Sequence, residues 1–157
     1  MSNNMRWRYG ETNPVVTKAI GTATVIEIGD LVEASSGTVI PADDHTWNTN
    51  TATTQEEFHD LFLGVAMQQS RSDDTASIRV ATTGVFEFDC AAATFELGAL
   101  VGPAKQSGNA LEPQKVVAVA TANLAIGRVA KRYGSNTTSV LVDVLGVVTR
   151  SGPLAAA

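Results

Sequence analysis

One cysteine, Cys90, stands in the 157 residues, so no intramolecular disulfide can brace the chain and no cysteine-based zinc site can form. Aromatic residues are scarce at 6%, and there are only two histidines, His45 and His59. No apolar run reaches membrane-spanning length. The opening MSNNMRWRYG lacks the apolar core of a signal peptide, so the expectation is synthesis in a cytosol without signal-directed export. Lysine and arginine total 11 against 16 acidic residues, a net charge of −5. Residues 1–18 carry +2 of their own, which leaves −7 on the rest. A body of that sign repels phosphate backbones and argues against direct nucleic-acid binding. G-x-x-x-x-G-K-[ST], G-x-G-x-x-G and G-x-S-x-G motifs are all missing.

What is present is material for β-strands. Apolar residues make up 44%, enough for a core, and Thr and Val, which favour pleated surfaces, are abundant. Leu61 to Asp89 reads as strand, loop, strand, glycine step, strand. Ile78 and Val80 alternate with Arg79, and Phe86 and Phe88 alternate with Glu87, so the apolar residues point inward. Cys90 continues that alternation as a small core residue.

Further strands are expected over Gly21–Val32, Thr38–Ile40 (stopped by Pro41), Phe62–Gln68, Phe95–Val101, Val116–Ala122, Ser139–Leu145 and Val147–Arg150. Ser107-Gly108-Asn109 predicts a hairpin turn. Residues 42–60 break the strand pattern. Thr54 and Glu57 have the spacing of a capping box, which predicts one short helix near 55–62 burying Phe58, Leu61 and Phe62.

Landmarks recur in order. Ile28-Gly-Asp-Leu-Val32 matches Leu97-Gly-Ala-Leu-Val101, and Leu63-Gly64 matches Ile126-Gly127. SIRVATTGV at 77–85 matches SVLVDVLGV at 139–147 at four of nine positions. The expectation is an all-β fold, a compact barrel or sandwich made of two related β units, about 25–89 and 95–150, with 42–60 as an excursion in the first. Residues 1–20 would be an extended N-terminal arm, 21–150 one β-domain, and 151–157 a loose tail.

Candidate site residues fall outside the repeat. Arg6-Trp7-Arg8-Tyr9 alternates charge and ring, so an extended arm would show two rings on one side and two guanidinium groups on the other. Two readings stand: docking on a neighbouring subunit, or a first strand of the chain's own sheet. Trp47 in the 42–60 loop can anchor an interface, stack on a sugar, or fold back onto its own domain. Asp43, Asp44 and His45 beside it, and Glu56 before His59, are too local to make a metal site. No catalytic residue, metal or cofactor is assigned.

Taken together, Ile28–Val32, Phe62-Leu-Gly-Val-Ala66, Ser77-Ile-Arg-Val80, Gly84-Val-Phe-Glu-Phe88, Leu97–Val101 and Ala125-Ile-Gly-Arg-Val129 give a pattern over roughly residues 25–148 that resembles the bacteriophage head-decoration, or capsid cement, proteins. The resemblance implies a non-enzymatic virion protein that binds the major capsid protein on the outside of the shell. It also implies homo-oligomers, trimers favoured, and no membrane contact. Capsid contacts would come from Arg6, Trp7, Arg8, Tyr9 and Trp47. The alternative is a carbohydrate- or receptor-binding β-module on a virion surface, centred on Trp47 with Asp43, Asp44 and His45. The longer start and the 42–60 excursion depart from the simplest members of that family.

Overall fold

Short strands with alternating apolar residues dominate the computed structural model of the chain, which describes residues 3–149. In chain order they are β1 (Trp7–Tyr9), β2 (Val15–Thr17), β3 (Leu31–Ser35), β4 (Thr38–Pro41), β5 (Phe62–Ala66), β6 (Ile78–Ala81), β7 (Thr83–Phe95), β8 (Leu100–Lys105), β9 (Leu111–Ala118), β10 (Gly127–Val129) and β11 (Tyr133–Leu145). One helix, α1 (Thr51–Leu61), and two 3-10 turns, Ala42–Asp44 and Ala122–Leu124, complete the described residues.

The strands form two sheets. One runs β1-β7-β11-β10-β8-β9 and closes where β9 pairs in parallel with β7, at Asp89–Lys115 and Cys90–Val116. Strands β7 to β11 thus make a five-stranded barrel, with β1 on the free edge of β7. The other sheet runs β2-β6-β5-β3-β4. Its two ends also meet, because Ala19 forms a parallel bridge to Val39. The Val39 N–H donates to the Lys18 carbonyl at 2.9 Å, and the Ile20 N–H donates to the Val39 carbonyl at 3.0 Å.

The two sheets use one register. Val32 faces Gly64 in the first as Val101 faces Gly127 in the second. Ala66 faces Val80 as Val129 faces Val142. Val15 faces Val80 as Phe86 faces Val142. The parallel closures, Ala19–Val39 and Cys90–Val116, fall at matching places. The two glycines have the same physical cause: a Cβ on Gly64 would enter the Ala81 carbonyl, and one on Gly127 would enter the carbonyl of Asp143, the residue equivalent to Ala81. Strands there approach too closely for any side chain.

These registers move the copies from the expected 25–89 and 95–150 to about 15–81 and 86–145. β7 opens the second copy rather than ending the first, and β2, inside the expected arm, opens the first. Val15-Val16-Thr17 shares no residue with Phe86-Glu87-Phe88, so only pairing reveals the match. The arm is extended, and it lies on the chain's own sheets.

Other boundaries also shift. Over Gly21–Val32 the chain turns at Gly21–Thr24 and at Glu27–Asp30, and the strand begins at Leu31; only Ile26 bridges, to Ser70. Gly29, at φ +96°, supplies the backbone that this second turn needs. Phe95–Val101 is likewise interrupted, with β8 starting at Leu100. β9 begins earlier than expected and ends at Ala118. Val147–Thr149 is a turn and no strand, closed by Thr149 N–H to the Gly146 carbonyl at 3.1 Å. Arg150 and the 151–157 tail lie outside the described residues.

Helix α1 starts at Thr51, because Asn50 is the cap, its side chain accepting from Thr53 N–H at 2.9 Å. The Thr54–Glu57 capping box does not form. Thr54 sits inside the first turn and donates to the Asn50 carbonyl at 2.8 Å. Phe58 and Phe62 are buried as expected, whereas Leu61 is exposed.

The smaller core fills the first barrel: Val32, Val39, Leu63, Ala66, Ile78 and Val80, with Ala19 and Ile26. The six equivalent residues, Val101, Val116, Ile126, Val129, Val140 and Val142, fill the second. This second core does not stop at the barrel wall. It continues into Leu31, Val65 and Ala81 on the outside of the first barrel, and into Phe58 and Phe62. Burying each of these large side chains contributes about 1.5–3 kcal/mol. G127A should therefore destabilise the protein by about 2–3 kcal/mol in chemical denaturation, since the added methyl meets backbone that cannot retreat without breaking the β10–β11 register. An unchanged midpoint would refute the close-approach account.

Candidate interaction surface

The arm crosses both barrels. Asn3 accepts from the Ile28 N–H in the first copy. β1 pairs with β7 in the second, with Trp7 opposite Phe86 and Tyr9 opposite Val85. Thr82 and Thr83 at the junction donate their N–H groups to the Thr12 carbonyl. β2 then returns to the first sheet.

Charge fixes the arm's orientation. Arg6 reaches Glu87 at 2.9 Å and Asp89 at 2.8 Å, and Arg8 reaches Glu87 at 3.2 Å. Both acids stand on the outward face of β7, alternating with the inward Phe86, Phe88 and Cys90. Each half-exposed pair contributes at most about 1 kcal/mol, but one network of four groups holds the strand in register. The guanidinium groups find their carboxylates within the chain. The rings do not find a core: Trp7 is 45% and Tyr9 52% exposed, with Trp7 Nε1 donating to the Gly10 carbonyl at 3.1 Å. Two aromatic side chains are thus presented on a strand that cannot swing freely.

Trp47 lies elsewhere, half-buried against the larger core, with Lys105 Nζ 5.4 Å above its ring. Asp43 and Asp44 are exposed. His45 turns inward instead. Its Nδ1 meets Glu33 Oε2 at 2.7 Å, its Nε2 lies 3.8 Å from Glu57 Oε2, and its ring meets Phe58 edge-on at 5.8 Å. His59 uses Nδ1 toward the Ala125 carbonyl. The two histidines therefore serve different contacts.

The excursion is a clamp between the copies. Gln55 Nε2 donates to the Pro103 carbonyl at 2.8 Å, so both Gln55 and His59 of α1 reach second-copy backbone. On the opposite strand pair, Gln114 Nε2 of β9 donates to Asp30 Oδ1 at 2.8 Å and to the Ile28 carbonyl at 3.2 Å. Asp30 Oδ2 accepts from the Glu27 N–H at 2.9 Å.

Beside α1 an open cleft of about 350 Å³ is lined by His59, Leu100, Ile126, Arg128, Asp143 and Leu145, among others. Arg128 faces Asp143 across β10 and β11 and donates to the Gly98 carbonyl at 2.9 Å. Partial burial pushes the Asp143 carboxyl up. Such a cleft suits an apolar side chain flanked by one charge of each sign.

Sequence reasoning located the arm's four residues but not the acids that hold it, because Glu87 and Asp89 lie about eighty positions away. It also missed Glu33, for which an isolated acid in an apolar strand was the available signal. The chain matches no protein-family model, no curated protein and no solved structure.

Two buried ionisable groups set a pH dependence. The Glu33 carboxylate holding Nδ1 raises His45, against the opposing effect of burial, with Glu57 adding to the rise. Burial pushes the Asp30 carboxyl up to about 6, although the Glu27 N–H and Gln114 oppose it. In both cases the folded state binds its proton more tightly than the unfolded chain. Stability should fall as pH rises from about 4 to about 6 through Asp30. It should fall again above about 6.5 as His45 loses its proton. Urea midpoints measured from pH 4 to 9 should show both slopes. D30N should flatten the lower one and H45Q the upper. A rise in stability between pH 7 and 9 that depends on His45 would contradict the assignment.

Proposed function

We propose that the chain is a virion structural protein that binds the outer surface of a bacteriophage capsid and stabilises it by bridging capsid subunits. It is non-enzymatic in this reading, lies on the capsid exterior, and contacts the major capsid protein. It acts as a homo-oligomer, with a trimer favoured. The observation that carries the reading is the pair of exposed rings, Trp7 and Tyr9, held on a strand fixed by ion pairs to Glu87 and Asp89. Exposed aromatic side chains on a rigid mount are what an interface anchor requires, since little conformational freedom is left to lose on binding. The order of the strand motifs supports the same class.

The mechanical logic follows from geometry. A shell under internal pressure fails by separation of its capsomers. A clamp that touches two of them adds a binding free energy that separation must overcome. Copies repeated over a symmetric shell make modest contacts effective together. A two-barrel body whose larger core spans the junction suits a clamp, because force on one barrel passes into the other through packed side chains.

A glycan-binding centre at Trp47 has less support: Lys105 covers one face of the ring and His45 is committed to Glu33. The test uses substitution, because deleting residues 2–18 would remove β2 with the arm. W7A combined with Y9A should leave the thermal midpoint within a degree or two, since both rings are outside the core. It should reduce occupancy on decoration-free capsids by about 30-fold or more, at about 2 kcal/mol or more for a hot-spot ring. Unchanged occupancy would remove the arm from the interface.

A further inference from the structure

The duplicated register exposes an inequality between the copies. In the second, the edge of β7 that faces away from β11 carries β1, with Glu87 N–H donating to the Arg6 carbonyl at 2.9 Å. The matching edge in the first copy belongs to β2, where Val16 is equivalent to Glu87 and Lys18 to Asp89. Among the described residues no strand lies on it at Val16; the approach to β4 begins beyond, where Thr17 Oγ1 donates to the Gly37 carbonyl at 2.8 Å and the Lys18 carbonyl accepts from the Val39 N–H at 2.9 Å.

The backbone there is directed outward. Arg79, opposite Val16, uses its own groups on the other side: its carbonyl accepts from the Met67 N–H at 2.9 Å, and its N–H donates to Gln68 Oε1 at 2.9 Å. In an antiparallel pair this leaves Val16 with N–H and C=O both turned from β6 toward the open edge. The Val16 side chain is 65% exposed. Lys18 and Arg79 are exposed around it, a local concentration of positive charge on an acidic protein.

We infer that this edge takes up an extended segment of a partner protein as an added strand, with an acidic side chain over Lys18 and an apolar one over Val16. The second copy supplies the template. There the strand carries acids and its occupant carries arginines; here the charge on the strand is reversed and so is the occupant's. The Arg6–Arg8 arm of another copy does not fit, since it would set cation against cation. Strand addition of this kind gains affinity from backbone hydrogen bonds and selectivity from alternate side chains. Pro14 offers no N–H, so the added strand is short, as three-residue β1 is. The inference does not depend on the capsid reading.

The test uses the isotope-labelled full chain and two synthetic peptides of residues 4–11, one native and one carrying R6E and R8V. The acidic peptide should shift and protect the Val16 amide and bind about five- to tenfold better than the native peptide. K18E lies on the surface, so it leaves the fold intact and should reverse that preference. No perturbation of the Val16 amide by either peptide at millimolar concentration would overturn the inference, and Pro14 and Lys18 would then be guards against edge pairing. A preference that K18E leaves unchanged would overturn it as well. So would a Val16 shift that follows protein concentration without peptide, which would assign the edge to a second copy.

Discussion

Burial of the first barrel's outer wall against the second barrel is the contact on which the rest depends. Leu31, Val65 and Ala81 would be an exposed apolar patch on an isolated first barrel; in the chain they are part of the larger core. Their equivalents in the second copy are Leu100, Arg128 and Asp143, of which the two charged residues are exposed. The same backbone thus carries a wall to be covered in one copy and a wall to face water in the other. This difference in side chains gives the pair a direction.

The remaining features secure that contact. Helix α1 covers one side of the junction with Phe58, Gln55 and His59, while Gln114 binds Asp30 from another. The arm straps across both barrels before it becomes β2. Function in the proposed sense uses what this arrangement leaves outside: rings on β1, an edge at β2 and a cleft beside α1. The excursion at 42–60, which stands out in the sequence as a candidate binding feature, contributes mainly structure through His45, Gln55 and Phe58.

The all-β class and the existence of a repeat were legible because short-range signals carry them. Alternation of Ile78 and Val80, or of Phe86 and Phe88, needs only neighbouring residues. Gly64 and Gly127 were visible landmarks, and their cause, a strand too close for a Cβ, became clear only from pairing. The repeat's true start at Val15 was not legible, since β-branched residues and phenylalanines fill equivalent places without resembling one another. The helix start failed for a local reason: Asn50 and Thr54 both can cap, and the one nearer the preceding turn prevailed. Of the candidate site, the alternation in Arg6–Tyr9 was readable, but its acidic partners required the fold. The inward turn of His45, just past the Ala42–Asp44 turn, depended on Glu33, twelve positions earlier on β3.

The proposal that this protein clads a capsid is open to one direct measurement. Quantitative mass spectrometry of purified virions, made from the genome that carries this gene, should find the chain in a fixed stoichiometric ratio to the major capsid protein. It should leave the particles only under conditions that also lower their resistance to heat or to loss of salt. Virions that lack the chain, or that hold it in amounts unrelated to the capsid protein, would contradict the account.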